Sequence, residues 1–423
     1  MLSRSHEGTR SLMVSGLAYL LLVLGPSHAS LRISRLRPIV QATIARCEES
    51  LRTTGGPFSL DLATLLNARL LKRKHYRAAA YLSAVSSMPI LSKVTSDEDL
   101  GDVILSKVMA GVAAKIFDNI IDRDNSLERA VDFLQRLKGT VLSEGPDEVR
   151  SVESFLGKAE NSALRIARFA HEIMRENFCS GHSYEEYLGQ ASLLIDIHTM
   201  LARFRRARKI TPSDRRRYLQ ALLGRGIGNL WMAMDVCALE QHAPRLSLGF
   251  EQSVSLLRKV NDIIWRALQL NDDVTDLSAD LQDRSPNAAV QFGLLTGAIS
   301  EDELLFGDPG LIVKKMNNSG MMRNLVEASR HAFWNEIRTT AAFPDPIKAT
   351  IDIPGYMQGQ KFAWLFTLRK MPTLRMGNVI AETLVSIVSG LAWSRRTTEE
   401  VRDLLPAILT PTALELERPV QEC

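Results

Sequence analysis

The chain has 423 residues, 45% hydrophobic and 24% charged, with a formal net charge of +4. That is an ordinary globular balance with enough apolar residues to bury a sizeable core. So small a charge, with no zinc-finger or RNA-binding signature, argues against a nucleic-acid partner. The four cysteines, Cys47, Cys179, Cys237 and Cys423, form no CxxC pair and the histidines no HExxH, so the spacing speaks against a zinc site and the thiols read as reduced.

Residues 1–30 form an apolar segment of their own. Arg4 and Arg10 precede an apolar run from Leu12 to Leu24, followed by Gly25-Pro26-Ser27-His28-Ala29. The layout is that of a secretory signal peptide, and the run is short for a membrane span. A cleaved signal, a membrane anchor and an extra hydrophobic helix all stay open. The expected location is therefore the cytoplasm, with membrane association or secretion through this segment as alternatives.

Beyond it, helical periodicity recurs and strand patterns are nearly absent. The spacing predicts helices over Ile39–Leu51, Leu60–Leu71, Asp97–Ile121, Glu160–Asn177, Ser183–Arg206, Ser213–Glu240, Glu251–Leu281 and Val379–Trp393. Thr95 with Glu98 fits a capping box ahead of the third of these. Gly55-Gly56-Pro57, Gly145-Pro146, Thr211-Pro212, Pro286, Pro309 and Pro354 punctuate the pattern. No repeat or linker stands out. The simplest division is one all-α helical bundle over 31–400, with a C-terminal tail over 401–423.

Two acidic clusters carry chemistry. Asp118 and Asp122 are i, i+4 on one helical face, and Asp272, Asp276 and Asp280 form an i, i+4, i+8 ladder with Gln269 one turn before. Like charges stacked this way repel, and a hard cation turns that repulsion into coordination. Mg²⁺ suits, because it takes one or two carboxylates together with phosphate oxygens and keeps several waters. Either cluster alone reads equally well as a solvated helix face. Two at the ends of apolar helices, if they face each other, make a metal clamp on a diphosphate that stabilises the leaving group.

On these residues the sequence resembles the class I isoprenoid synthases, the superfamily of trans-prenyl diphosphate synthases and class I terpene synthases. Their first motif, DDxxD, reads Asp118-Asn119-Ile120-Ile121-Asp122 here. Their second, close to QxxDDxxDxxxD, is matched throughout by Gln269, Asp272, Asp273, Asp276 and Asp280. Upstream, Lys74 and Arg77 match the basic positions of a GGKRxRP motif whose glycines and proline are missing. Gly189-Gln190 matches a GQ pair, and Arg225-Gly226 stands where a Lys-Thr pair is expected. The resemblance covers roughly residues 31 to 300. It implies a central apolar cavity, metal at Asp118, Asp122, Asp272, Asp273, Asp276 and Asp280, and diphosphate at Lys74, Arg77, Arg225 and Gln269.

Two departures bear on the reaction. The Arg-Arg-Gly that follows DDxxD in prenyl synthases is replaced by Asn125 to Ala130, and the upstream basic motif is eroded. Both losses weaken two-substrate elongation more than one-substrate cyclisation. Ala110, Gly111, Ala113 and Ala114 upstream of Asp118 leave a chain pocket open, which by family analogy suits a substrate of about fifteen to twenty-five carbons. Close helix–helix packing explains the same small residues equally well. The expected cavity residues are Ala113, Ala114, Phe117 and Gln190. Trp231, Trp265, Phe362, Trp364 and Phe366 are aromatics that could face a carbocation or simply fill the core. The basic stretch from Arg203 to Arg217 reads as a solvated loop, an anionic-lipid surface or a source of one arginine for the diphosphate.

The expectation is thus an Mg²⁺-dependent terpene synthase acting on a linear prenyl diphosphate, with Asp118, Asp122, Asp272 and Asp276 central to the chemistry. A polyprenyl diphosphate synthase and a non-catalytic regulatory subunit are the alternatives. A homodimer is compatible with the sequence.

Overall fold

The computed structural model describes residues 16, 29–123, 126–142, 154–179, 181–206, 211–242, 248–368 and 398–410. Among them every regular element is helical and none is a strand, so the fold is all-α. The helices are α1 (Ile33–Thr53), α2 (Leu62–Asn67), α3 (Arg73–Leu91), α4 (Asp97–Arg123), α5 (Leu127–Leu142), α6 (Phe155–Phe178), α7 (Ser183–Arg206) and α8 (Pro212–Gly224). They continue as α9 (Gly228–His242), α10 (Leu248–Asp283), α11 (Ala288–Leu295), α12 (Glu301–Phe306), α13 (Pro309–Asn318), α14 (Met321–Ala341), α15 (Asp345–Thr350), α16 (Ile353–Leu368) and α17 (Glu399–Leu409). The helix expected over Val379–Trp393 and nearly all of the segment 1–30 lie outside the described residues.

Local chemistry sets the helix starts. Ser154, Thr211, Asn287, Ser300 and Asp308 each accept a backbone N–H in the first turn of the helix they precede. The cap of α4 is one residue later than the sequence suggests. Ser96 Oγ accepts the Asp99 N–H at 3.1 Å, while Thr95 donates to the Leu91 carbonyl and so closes α3. The pattern over Leu60–Leu71 is also shorter in fact: α2 ends at Asn67, and Arg69 turns the chain with a φ of 57°.

α4 packs along α6 and α3, α7 against α5 and α9, and α10 against α14 and α9. In α10, Leu257, Val260, Ile264, Ala267, Asn271 and Val274 recur at three- and four-residue steps and are all buried. Stacked that way they seat the helix and turn its carboxylates to one side. One apolar cluster runs from Leu31 to Ile408. Inside it a charged group is fully partnered: the Lys107 Nζ donates to Asp235 at 2.7 Å, to Ser87 at 2.7 Å and to Ser86 at 2.9 Å. With all three ammonium protons used, the buried pair joins α3, α4 and α9 without an orphaned charge.

The segment expected as a tail from residue 401 carries a helix. α17 buries Val401, Leu404 and Ile408 and packs on α14. Its last carbonyls are held by a buried guanidinium: Arg266 donates to Ile408 and Ala407, each at 2.7 Å, and Gln220 donates to Ala407 at 3.0 Å. A cation at a helix C-terminus complements the dipole there. Among the described residues no helix is long and apolar enough to cross a membrane.

Candidate active site

The acidic half of α10 and the C-terminal half of α4 line one cleft together with α7 and the α8–α9 junction. The cleft encloses about 1320 Å³, part of it open to solvent. Asp118 and Lys115 face it from α4, Gln269, Asp272, Asp273, Asp276 and Asp280 from α10, His198 and Arg205 from α7, and Arg225 from the junction.

On the α4 side, Lys115 donates to Asp118 at 3.1 Å, and 48% of the Asp118 side chain is exposed. Burial works to raise the Asp118 pKa, but Lys115, His198 and Arg225 outweigh it and hold the carboxyl below the usual range. Burial first, then the arginine and lysine nearby, hold His198 below its usual value despite the pull of Asp118. Asp122 is one turn further along α4, and its side chain lies outside the described residues.

Asn119, the departure from DDxxD, has a structural partner. Its Nδ2 donates to the Leu70 carbonyl at 2.7 Å, next to the turn at Arg69. A carboxylate could not make that bond, so this position ties the α2–α3 turn to α4 rather than facing the cleft.

On the α10 side the carboxylates divide. Asp273 is buried, accepting from Arg225 at 2.7 Å, from Gln269 at 2.8 Å and from the Ala288 N–H at 2.6 Å. Its oxygens are thus engaged on the protein side, at the N-terminus of α11 where a negative charge is favoured. Asp272 is exposed and Asp276 half-buried, both on the open side. Asp280 accepts from Asn287 at 2.7 Å, and burial pushes it up to about 7. Asn287 also donates to the Asp273 carbonyl at 2.7 Å and caps α11, fixing the turn after the ladder.

Arg225 is the electrostatic hub. It donates to Asp273 and, at 2.9 Å, to the Pro286 carbonyl. Although burial acts against it, Asp273, Asp118, Asp280 and Asp272 together raise its pKa, so it feels both clusters at once. The helix predicted over Ser213–Glu240 is in fact interrupted here, between α8 and α9. Gly228 explains the close approach, since a Cβ there would fall 2.0 Å from the Trp265 ring. The interruption carries Arg225 off the helical path and into the cleft.

Beside the cleft lies an apolar chamber enclosing about 600 Å³, part of it open to solvent. Ala114, Phe117, His198 and Ile227 line both spaces, so the two are adjacent. Ala110, Ala113, Leu134, Ala167, Ala170, Tyr187 and Met234 line its deeper part.

The sequence-derived candidates therefore separate. Asp118, Asp272, Asp273, Asp276, Asp280, Arg225 and Gln269 share the cleft, and Ala113, Ala114 and Phe117 line the chamber. Lys74 and Arg77 are exposed on α3 and line neither space, and Gln190 lines neither. The Trp231 and Trp265 rings pack on each other at 5.8 Å, and Trp364 stacks on Phe333, as core residues. From the basic stretch Arg205 reaches the cleft, whereas Arg215 turns inward to Gln291 and Glu301. Sequence reasoning missed His198 and Tyr187. The one signal was polar groups on the otherwise apolar face of α7, with Ile195 and Leu201 on either side of His198.

Among the described residues no three carboxylate, imidazole or thiol groups come together as a ready-made metal cage. The donor chemistry still fits Mg²⁺, which takes few protein carboxylates and completes its shell with phosphate and water. No family model matches the chain, and no curated protein matches it by sequence. Among solved structures it is similar to a single-substitution variant of cucumene synthase, at a TM-score of 0.48 and 12% identity, over 79% of this chain and 95% of that chain. A likeness at that level adds nothing to the functional reading.

Proposed function

We propose that this chain is an Mg²⁺-dependent class I terpene synthase that ionises and cyclises a linear prenyl diphosphate of C15–C25, within one catalytic unit spanning about residues 31–400. One observation carries the reading: two carboxylate groups and a shared arginine face a polar cleft that adjoins an apolar chamber, with four lining residues in common. The polar space suits a diphosphate and the apolar one a hydrocarbon chain, and their adjacency suits the two halves of one amphiphilic substrate.

Asp118 on one wall and Asp272 and Asp276 on the other would hold the metal, with Asp122 beside Asp118 in the motif. Bound there, Mg²⁺ supplies Lewis-acid stabilisation of the departing diphosphate. Arg225, held in place by Asp273 and the Pro286 carbonyl, directs positive charge at the same group. Gln269 supports Asp273, which acts as a positioning residue and not as a ligand. Phe117, which lines both spaces, would offer its ring to positive charge developing on the chain. The chamber below it keeps water from the cation.

The elongation alternative requires a second diphosphate site, and Lys74 and Arg77, its expected residues, lie off the cleft. The test is to incubate the purified full chain with farnesyl, geranylgeranyl and geranylfarnesyl diphosphates and Mg²⁺, with and without isopentenyl diphosphate. A terpene formed without isopentenyl diphosphate, and lost with EDTA, is expected. A longer diphosphate formed only with isopentenyl diphosphate would overturn the proposal.

A further inference from the structure

The deep end of the chamber meets a polar cluster that the ionisation step does not use. Tyr187 lines the chamber, and its Oη lies 3.3 Å from Nδ1 of the buried His171. The other ring nitrogen, Nε2, lies 3.4 Å from the Oη of Tyr184, which is only partly buried. The three rings pack together, with His171 centred 5.9 Å from Tyr187 and 6.2 Å from Tyr184.

A neutral imidazole donates at one nitrogen and accepts at the other, so phenol–imidazole–phenol is an unbroken hydrogen-bond chain from the chamber wall toward the surface. Burial, reinforced by Arg175, keeps His171 below its ordinary pKa and hence neutral. Among the described chamber residues only Tyr187 and His198 can exchange a proton. His198 stands at the cleft end, and Tyr187 is eleven residues earlier on the same helix, roughly 16 Å away along its axis.

We propose that Tyr187, His171 and Tyr184 form a proton-exit relay that ends the reaction at the deep end of the chamber. The relay rests on the synthase reading, and it assigns the final deprotonation to protein groups far from the diphosphate. A C–H bond next to the cationic carbon breaks, and its electron pair becomes the new C=C bond. The proton passes to Tyr187 Oη as the phenolic proton of Tyr187 moves to His171 Nδ1. The Nε2 proton moves to Tyr184 Oη, and the proton of Tyr184 leaves to solvent, so one proton exits and each group ends neutral. A carbocation is so strong an acid that a weak neutral base suffices; position decides the outcome. Tyr187 touches the substrate, while His171 and Tyr184 act through it.

The test compares Tyr187→Phe, Tyr184→Phe and His171→Gln with the parent chain, scoring the terpene spectrum per molecule of diphosphate released. All three should lower the share of the main olefin, by about tenfold or more if the relay works as an ordinary general base, in favour of olefins deprotonated elsewhere. Tyr184→Phe is the decisive variant, because Tyr184 does not line the chamber and its loss leaves the chamber's shape alone. An unchanged spectrum in Tyr184→Phe, even with a changed one in Tyr187→Phe, overturns the relay and leaves Tyr187 a matter of shape. If the parent chain releases no diphosphate from any of the three substrates, the synthase reading and the relay fall together. Thermal unfolding of each variant separates these results from misfolding.

Discussion

Asp272 and Asp273 are neighbours in the motif, yet substituting them should have opposite consequences. Asp273→Asn removes the charge facing Arg225 and replaces an acceptor oxygen with a donor amide, where three donors already converge. At 1% exposure for Asp273 and 21% for Arg225, water cannot readily repair the loss. Breaking one side of a buried pair costs about 3–5 kcal/mol, and the remaining exposure of Arg225 favours the lower end, about 3 kcal/mol. Asp272→Asn, on an exposed side chain, should change stability by less than about 0.5 kcal/mol while removing Mg²⁺-dependent diphosphate release. Urea denaturation followed by circular dichroism, beside a diphosphate-release assay on the same preparations, reads both quantities. If Asp273→Asn keeps parental stability and loses only metal-dependent activity, Asp273 is a ligand and the division of the ladder is wrong.

Asn119→Asp, which would complete the DDxxD pattern that the sequence resembles, should weaken the protein: it deletes the bond to Leu70 and sets a carboxylate against a carbonyl, a cost of about 1–3 kcal/mol readable as a lower melting temperature. A gain in both stability and Mg²⁺ affinity would refute that assignment. Ala114 lines both cleft and chamber, and Ala114→Phe would fill space there, so kcat/KM for the C20 substrate should fall more than for the C15 one; equal losses would place the chain elsewhere. Lys361 is 4% exposed, and burial lowers its pKa to about 8. Above pH 8 the unfolded chain, with an ordinary lysine pKa near ~10.4, holds this proton when the folded chain has lost it, so stability from this group rises with pH, by at most about 3 kcal/mol. Lys361→Met should flatten that rise in unfolding midpoints between pH 8 and 10; a parallel curve would rule out the lysine as its source.

The sequence made the helices legible because their apolar periodicity and caps are local. It also placed Asp272, Asp276 and Asp280 on one face. It could not divide the ladder, since Asp272 and Asp273 differ only by the rotation of one residue about α10, and what Asp273 meets is Ala288 and Arg225, 15 and 48 positions away. The break before Gly228 stayed hidden for a similar reason. Ser213 to Glu240 is periodic throughout, and the Trp265 ring that fits only beside a glycine belongs to another helix. Lys74 and Arg77 are the reverse case: motif spacing suggested a site, and both are exposed on α3 and line neither space. Tyr187 and His171 are 16 residues apart with nothing in the intervening sequence to connect them.

The clasp on α17 has a practical consequence. Cutting away residues 398–410 would strip the buried guanidinium of Arg266 of its two carbonyl acceptors and leave Gln220 half-satisfied. Gln220 lies on α8, five residues ahead of Arg225. A shortened expression version ending before Thr398 would therefore loosen the helix that delivers the cleft's arginine, and would register as a loss of solubility and activity together.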